Sequence, residues 1–432
     1  MTPAARLSAA IEILDSIDAQ RVPAADALKE WGRAHRFAGS GDRAAIAGAV
    51  FDVLRRRASS AYLMDSDTSR GRVIGMLKLE RGMDVEAIAA LFNGEGHAPA
   101  PLTDAERKAF ANRNLQNAPP HIAGDYPEWL DAHFEKAFGD ARVDEATAMA
   151  SRAPLDLRVN TLKAKPDKTL ASLAHLGASA TPWSPMGLRI ALGADARNPG
   201  IHAEEDFIKG GIEVQDEGSQ LAALLSGAKP GSQVIDMCAG AGGKTLALAA
   251  MMQNKGRLIA TDRDKRQLAP IHERLSRAGV HNAEVRTPKG PDDTLSDIQG
   301  SADLVVIDAP CTGTGTWRRN PDAKWRMRPG ALQVRLKDQI SVLDRAAPLA
   351  KSGGRIAYIT CSVLPDENSA QIAAFLERRP DYAVVPPAHI TERLGEKAAE
   401  FRAATYESPE GLLMTPRRTG TDGFFVSILQ RK

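Results

Sequence analysis

The stretch Val234-Ile-Asp-Met-Cys-Ala-Gly-Ala-Gly-Gly-Lys-Thr245 decides the fold, because an apolar run turns there into a cluster of glycines. Such apolar residues predict a buried strand, and the glycines allow a tight turn into a helix. Apolar, β-prone runs predict strands at Val234–Met237, Leu258–Thr261, Ala283–Arg286, Leu304–Ile307 and Ile356–Thr360. Because helical stretches lie between most of them, we expect a parallel sheet with helices on both faces.

The residues upstream predict two further regions. Apolar residues recur at helical spacing through the first 150 residues, with expected N-caps at Asp42 and Asp84 and a capping box of Thr103 and Glu106. Short strands are predicted at Leu155–Leu162, Leu188–Leu192 and Ile212–Gln215, with a helix over Asp167–Leu176. We therefore predict an all-helical domain over 1–150, a small α+β segment over 151–225 and an α/β domain over 226–432.

Composition places the chain among globular proteins. Of 432 residues, 43% are hydrophobic and 25% are charged, and the net charge of +2 is only a weak sign of a nucleic-acid partner. No stretch is long and apolar enough to span a bilayer, and the first residues predict an amphipathic helix rather than a signal peptide. A cytoplasmic protein without a membrane partner is therefore expected.

The chain has only three cysteines, Cys238, Cys311 and Cys361. They are too few and too scattered for a disulfide framework or a zinc site, so no metal is expected. Cys311 lies in Asp308-Ala-Pro-Cys-Thr-Gly-Thr-Gly315, and Cys361 lies in Thr360-Cys-Ser-Val-Leu-Pro-Asp-Glu-Asn368. Both follow predicted strands directly, and ligands of parallel sheets bind at such strand ends. We expect the two thiols and the Asp308 carboxylate to share one crevice.

The glycine turn and the end of the second strand predict a ligand that contains adenosine. A nucleotide phosphate loop would need a glycine at Cys238, and Gly240, Gly242 and Gly243 are too tightly spaced for a dinucleotide fingerprint. Asp262 ends the second strand, where a carboxylate accepts hydrogen bonds from two ribose hydroxyls. These residues alone leave S-adenosylmethionine and a nicotinamide cofactor as alternatives.

Together these motifs closely resemble the RsmB/Nop/Sun family of RNA cytosine-5 methyltransferases. The resemblance covers about residues 155–432. It also rests on Leu157-Arg-Val-Asn-Thr-Leu-Lys163, Val214-Gln-Asp-Glu-Gly-Ser-Gln-Leu221, Arg318-Arg-Asn-Pro-Asp-Ala-Lys-Trp325 and Thr421-Asp-Gly-Phe-Phe425, the last resembling the family's final strand. More faintly, the helical region resembles the NusB-like RNA-binding domain of bacterial family members.

The resemblance implies an α/β fold with a Rossmann-like class I methyltransferase domain that binds S-adenosylmethionine. It implies that the cofactor is held by the glycine turn and two carboxylates: Cys238, Ala239, Gly240, Ala241, Gly242, Gly243, Lys244, Asp262 and Asp308. Lys244 could instead be a solvated lysine at a helix start. The family usually has proline at Ala241. It also has an adenine-contacting Asp after the third strand, which this chain lacks unless Asp292 or Asp293 substitutes.

The resemblance also implies the chemistry. Carbon 5 of cytosine becomes nucleophilic when a thiolate adds to carbon 6. Cys361 is the implied nucleophile, Cys311 the implied group for product release, and Asp308 the implied contact to the base. Residue chemistry alone does not rank the thiols, because the Pro-Cys context of Cys311 is typical of the nucleophile in DNA cytosine-5 methyltransferases.

RNA is the expected partner, with small-subunit rRNA favoured by the NusB-like start. We expect RNA contacts from arginine, lysine and asparagine side chains: Arg158, Asn160, Arg318, Arg319 and Lys324. Trp317 and Trp325 could stack on bases or pack inward, and Arg55–Arg57 could bind RNA or simply favour a helix C-terminus. Other possible functions are a tRNA or DNA cytosine-5 methyltransferase and a non-catalytic RNA-binding ribosome-assembly factor. We expect a monomer.

Overall fold

A computed structural model describes residues 1–193, 199–288 and 295–432 of the chain. These residues form two compact units. The first contains Met1–Arg152 together with Trp317–Met327, and the second contains nearly all of the remaining described residues.

Helices make up the first unit. They begin and end as follows: α1 Pro3–Gln20, α2 Ala24–Ala34, α3 Ser40–Arg55, α4 Arg57–Met64, α5 Ser69–Arg81, α6 Val85–Leu91, α7 Asp104–Asn112, α8 Pro120–Ala123, α9 Asp131–Phe138 and α10 Arg142–Ala150. Short 3-10 helices lie at Glu128–Leu130 and Gly139–Ala141. The buried apolar residues of α1 to α6, such as Ile13, Ile46 and Ile74, form one core, as the helical spacing predicted.

Two of the three predicted helix starts are confirmed. Asp84 accepts a hydrogen bond from Ala87 N at 2.8 Å, and Thr103 forms the predicted capping box with Glu106. The cap at Asp42 is wrong, because α3 already begins at Ser40. Asp42 instead accepts from Arg6 Nε at 2.9 Å, which ties α3 to α1.

The second unit begins with a small antiparallel sheet of strand order β2-β3-β1-β4. Its elements are β1 Leu155–Val159, α11 Pro166–Ser172, β2 Ala178–Ala180, β3 Gly187–Ile190, α12 Glu205–Ile208 and β4 Ile212–Val214. 3-10 helices lie at Ala174–Leu176 and Ile201–Ala203. The three strands predicted here are present.

A larger sheet follows. Its strands are β5 Gln233–Asp236, β6 Arg257–Thr261, β7 Ala283–Arg286, β8 Ala302–Asp308, β9 Ala350–Thr360, β10 Tyr382–Val384, β11 Tyr406–Ser408, β12 Gly411–Met414 and β13 Phe424–Arg431. The order is β11-β12-β13-β9-β8-β5-β6-β7, and β10 pairs with β13. Strands β5 to β9 are parallel, so the predicted parallel sheet is confirmed, while β13 runs antiparallel to β9.

Helices lie between and beyond these strands: α13 Glu217–Ser226, α14 Gly243–Met251, α15 Lys265–Leu268, α16 Ile271–Ala278, α17 Ala323–Arg326, α18 Pro329–Ala346, α19 Ser369–Arg378, α20 Pro387–Thr391, α21 Ala398–Ala403 and α22 Pro416–Thr419. 3-10 helices lie at Ser296–Ile298, Thr314–Thr316, Pro365–Glu367 and Glu392–Lys397. Successive strand residues such as Val234 and Ile235 belong to different buried cores, so both faces of the sheet are covered.

The final strand differs from the prediction. Residues Thr421, Asp422 and Gly423 precede β13 instead of lying within it. There is a physical reason for glycine at position 423, since a Cβ atom there would come within 2.7 Å of Gly315 Cα. This close approach joins the start of β13 to the loop that carries Cys311.

Candidate active site

The site lies where the strand order reverses. The chain runs from β5 outward to β7 on one side, and it returns to β8 and β9 on the other. The carboxyl ends of β5 and β8 therefore flank a crevice, which is the usual ligand position in such sheets. A cavity of about 860 Å³ opens there.

The glycine turn forms one wall of this cavity. Cys238 to Ala241, Gly243 and Lys244 line it, whereas Gly242 does not. Gly242 adopts φ 88° as the residue before α14, and a Cβ atom there would lie 2.6 Å from Ile271 Cγ1. Gly242 therefore shapes the turn, and its neighbours face the cavity.

Asp262 holds the turn in place at the end of β6. Its Oδ2 accepts from Gly240 N at 2.9 Å, and its Oδ1 accepts from Asp264 N at 2.8 Å. Each carboxylate oxygen has a second acceptor site, so the carboxylate can still accept hydrogen bonds from ribose hydroxyls.

The adenine end of the cavity differs from the family pattern, as the sequence indicates. In the loop between β7 and β8, the described residue that lines the cavity is Pro288, which carries no carboxylate. Asp292 and Asp293, the suggested substitutes, lie outside the described residues.

Lys244 is not a solvated lysine. Its side chain is 7% exposed, and its Nζ donates to Asp308 Oδ2 at 2.6 Å. The same ammonium lies 5.2 Å from the centre of the Phe424 ring. This ion pair orients Asp308 at the end of β8 and leaves its second oxygen free of Lys244.

The two predicted catalytic cysteines are brought together. Cys311 follows β8 and Cys361 follows β9, and their sulfur atoms lie 3.4 Å apart. Both are free thiols that are partly exposed. Hydrogen bonding to Cys361 and burial raise the pKa of Cys311 well above its ordinary value, so Cys311 holds its proton at neutral pH. Cys238 lies apart from this pair, in the glycine turn.

Glu367 joins the two cysteine loops, and sequence reasoning assigned it no role. Its carboxylate accepts from Thr312 N at 2.8 Å, Thr312 Oγ1 at 2.5 Å and Gln339 Nε2 at 3.0 Å, and also from Ser362 Oγ. Burial raises the pKa of Glu367, and these hydrogen bonds oppose the rise. The only signal was its place in the Thr360–Asn368 motif.

Arg158 and Asn160 are not RNA contacts, because both side chains are only 2% exposed. Arg158 donates from Nε to Gln215 Oε1 at 2.6 Å. Asn160 donates from Nδ2 to Gly210 O at 2.8 Å and to Ala278 O at 2.9 Å. Their role is internal: they fasten β1 to neighbouring segments of the second unit.

Lys324 and Arg318 are likewise buried, at 1% and 4% exposed, so their assignment to RNA is wrong. Lys324 donates from Nζ to Arg55 O at 2.9 Å, and burial lowers the pKa of Lys324 to about 7. Trp317 stacks on Phe134 with ring centres 5.8 Å apart. Trp317 therefore packs inward, which is one of the two arrangements that the sequence left open.

Trp325 packs inward too, donating from Nε1 to Leu54 O at 2.6 Å. Arg319 is half-buried. Residues Arg55, Arg56 and Arg57 pair with Asp52, Glu80 and Asp18, respectively. Their charges are therefore largely satisfied within the helical unit.

Within the described residues, no group of three or more His, Cys, Asp or Glu side chains is placed to hold a metal ion. None of the helices in that part of the chain has the length and apolar composition needed to cross a membrane.

Comparison with known proteins identifies the family. The model of the 16S rRNA methyltransferase RsmB/F family matches residues 223–430, and that of the RsmF/B-like ferredoxin-like domain matches residues 126–197. The probable ribosomal RNA small subunit methyltransferase B of Synechocystis is 33% identical over 315 residues, covering 71% of this chain and 67% of the relative. The corresponding protein of Sodalis glossinidius is 34% identical, covering 76% and 68%. The matches thus span about two thirds of these relatives.

Solved structures agree on the fold. The crystal structure of PH0851 has a TM-score of 0.73 at 24% identity, covering all of this chain and 99% of the other. A methyltransferase homolog from Pyrococcus horikoshii has a TM-score of 0.57 at 26% identity, covering 72% of this chain and 98% of the other. The resemblance drawn from the motifs is confirmed, and the chain belongs to the RsmB/F family of S-adenosylmethionine-dependent methyltransferases.

Proposed function

We propose that this enzyme methylates carbon 5 of a cytosine in small-subunit rRNA through a covalent cysteine adduct at carbon 6. The observation that carries the proposal is the pair of sulfur atoms 3.4 Å apart, at the ends of the neighbouring strands β8 and β9. Asp308 and Pro310, just before Cys311, line the cofactor cavity. A protein that only bound RNA would have no need for two adjacent thiols beside this cavity.

Cys361 is the proposed nucleophile. Its thiolate adds to carbon 6, and the electron pair displaced from the ring makes carbon 5 nucleophilic. Cys311 holds its proton, so its S–H can donate a hydrogen bond to the Cys361 sulfur. Carbon 5 then takes the methyl group and gives up its proton to water. The electron pair left by that proton re-forms the carbon 5–carbon 6 double bond, the Cys361–carbon bond breaks, and the Cys311 donor stabilises the departing thiolate.

The cavity suits the cofactor. Its volume of about 860 Å³ falls in the range of small-molecule sites, and its wall combines a glycine turn with the Asp262 carboxylate. Residues Cys238 to Ala241, Gly243 and Lys244 would hold the ligand from one side. When bound, S-adenosylmethionine supplies an electrophilic methyl group.

Asp308 is the proposed contact to the base. Lys244 occupies its Oδ2, so Oδ1 is available to accept from the amino group of cytosine. The carboxylate would orient the ring while Cys361 adds to it.

The choice of RNA rests on relatives named as ribosomal RNA small subunit methyltransferase B. We include in the proposal an RNA contact through Arg319, a cytoplasmic location and a monomeric state. The RNA-binding role of the NusB-like region over 1–150 stays a prediction. Acidic residues outnumber basic residues there, so its contacts would have to be local.

Trapping tests the assignment of the two cysteines. We expect Cys311→Ala to accumulate a denaturation-resistant RNA–protein adduct, because product release is slowed after Cys361 has added. We expect Cys361→Ala to form no adduct, which gel electrophoresis with labelled RNA would reveal. An adduct formed by Cys361→Ala alone would reverse the assignment.

Substrate assays test the choice of RNA. Labelled S-adenosylmethionine should transfer methyl groups to small-subunit rRNA or a subunit assembly intermediate, and not to tRNA or DNA. Bisulfite sequencing of RNA from a deletion strain would locate the cytosine. Transfer to tRNA would redirect the proposal, and the absence of transfer to any RNA would favour a binding-only assembly factor.

A further inference from the structure

The cofactor cavity has a second polar wall that does not come from the Rossmann-like sheet. Gln215 and Ser219, which follow β4 of the small sheet, line the same cavity as the glycine turn. The backbone of Gln215 is fixed, since its N–H donates to Asp156 O at 3.1 Å and its carbonyl accepts from Gln220 Nε2 at 2.9 Å. The Cα atom that carries the Gln215 side chain is therefore held in place.

Arg158 decides which way the Gln215 amide faces. A guanidinium can only donate, so the atom that Arg158 Nε contacts at 2.6 Å must be the amide oxygen. Arg158 is buried and cannot turn away. The amide nitrogen consequently faces the other side, where one hydrogen reaches Ser219 Oγ at 3.2 Å and the second has no protein acceptor among the described hydrogen bonds.

The remaining hydrogen lies beside the start of α14. Gln215 Nε2 is 3.7 Å from the position that a Cβ atom on Gly243 would occupy. The first N–H groups of a helix are also donors without helical partners, and they favour negative charge. Asp262 contacts the glycine turn at Gly240, whereas Gln215 lies next to the start of α14. The Gln215 amide and the first N–H groups of α14 therefore form a group of donors separate from the Asp262 carboxylate.

The same strand also braces the turn from behind. Glu213 in β4 accepts from Arg274 Nη2 at 3.0 Å, and Arg274 donates from Nη1 to Ala241 O at 2.8 Å. The small sheet thus holds both the cofactor turn and the Gln215 amide. Its position next to the turn is part of the cofactor site.

We propose that Gln215 donates a hydrogen bond to the carboxylate of the amino-acid portion of S-adenosylmethionine, and that Arg158 is the positioning residue that orients this amide. The inference rests on the identity of the cofactor and not on the cytosine chemistry. The proposal assigns a function to Arg158 of the Leu157–Lys163 motif. Because Arg158 is buried, that function is not the contact to RNA expected from the sequence.

The test compares two ligands by isothermal titration calorimetry. S-adenosylhomocysteine carries the amino-acid carboxylate, and 5′-methylthioadenosine keeps the adenosine and the thioether without it. Gln215→Glu should raise the Kd for S-adenosylhomocysteine about 10- to 100-fold, because a donor becomes a second carboxylate. The Kd for 5′-methylthioadenosine should stay within about twofold.

Gln267→Glu is the matched control, since Gln267 lines the same cavity at the end near Asp262. It adds the same charge and should change both Kd values by the same factor. Arg158→Met should weaken S-adenosylhomocysteine selectively, and Arg158→Lys should do so less, because lysine also only donates. Should Arg158→Met fail to fold, Gln215→Glu still decides the question.

Equal weakening of both ligands by Gln215→Glu, or no weakening, would overturn the inference. Wild-type protein that binds both ligands but methylates no cytosine would overturn the proposed function alone. The two failures are therefore distinguishable.

Discussion

Glu367 connects the two loops that carry the thiols. Its carboxylate has two oxygens for four donors, contributed by Thr312, Ser362 and Gln339. A glutamine has the same shape, but one of its two oxygens is replaced by an NH2 group. This NH2 group would face some of the four donors and could not accept their hydrogen bonds. The loops after β8 and β9 would then lose one of the contacts that hold them together.

We therefore expect Glu367→Gln to lower the rate of methylation about 10- to 100-fold, because small displacements of reacting groups have effects of that size. The Kd for S-adenosylhomocysteine should change by less than about twofold, since Glu367 does not line the cavity. Asp366→Asn, which alters the neighbouring carboxylate, serves as the control. A parallel loss of cofactor binding in Glu367→Gln would show a general folding defect instead.

Asp236 is a second buried carboxylate, beneath the glycine turn. Burial raises the pKa of Asp236 to about 7, while the hydrogen bond from Thr245 Oγ1 at 2.7 Å opposes the rise. Because this pKa exceeds the ordinary value of 3.8, the protonated group stabilises the fold most below pH 3.8. That contribution is lost as the pH rises to about 7.

Asp236→Asn should remove this loss. We expect the difference in free energy of unfolding, variant minus wild type, to be roughly 1–4 kcal/mol larger at pH 8 than at pH 5. Urea denaturation at both pH values measures it. Asp303→Asn is the control, because the pKa of Asp303 is lowered by Lys351 and the group stays ionised over that range. A difference for Asp236→Asn that does not vary with pH would contradict the prediction.

At the level of elements, the active site depends on a contact between the Cys311 loop and the start of β13. Gly315 N donates to Cys361 O at 2.9 Å, and Gly423 N donates to Gly315 O at 2.8 Å. A Cβ atom on Gly315 would lie 2.2 Å from Gly423 O, which is far inside contact distance. The loops after β8 and β9 and the start of β13 can meet only because these residues lack side chains.

Gly315→Ala should consequently separate the two cysteine loops. We expect methylation and adduct formation to fall at least about tenfold, in assays with labelled cofactor and RNA, because the thiols lose their alignment. Gly330→Ala is the matched control, since a Cβ atom there meets nothing within 4 Å. Unchanged activity in Gly315→Ala would mean that the loops can shift without cost to the chemistry.

For the molecule as a whole, the distribution of charge matters more than the small total. Acidic residues are in excess over 1–150, so the net charge of +2 comes from the remainder of the chain. Salt-dependent binding to phosphates should therefore arise mainly from residues beyond 150. Arg328 and Lys337, at the start of and within α18, are exposed there.

Neutralising both residues, Arg328→Gln with Lys337→Gln, should weaken RNA binding. The slope of log Kd against log salt concentration should fall by about 1 for each lost phosphate contact, measured by filter binding. The matched control is Arg33→Gln with Arg36→Gln, which removes two exposed charges from the helical unit. An equal loss of slope in the control would assign the electrostatic contact to the helical unit as well.

Local patterns predicted the sheet and the order of its active-site loops. Short apolar runs predicted the five parallel strands. The residues directly after these runs predicted the glycine turn and the positions of Cys311 and Cys361. Such patterns are reliable because strand and turn preferences act over a few neighbouring residues. The rule that strand ends share one edge then brings the thiols together.

The functions of the charged side chains depended on partners distant in the chain. Lys324 donates to Arg55, 269 residues away, Arg158 to Gln215, 57 residues away, and Thr312 to Glu367, 55 residues away. Sequence patterns mark a lysine or arginine as exposed because solvation is its usual state. Only the folded chain shows that these cations are buried against carbonyl and amide oxygens, and that Glu367 lies between the cysteine loops.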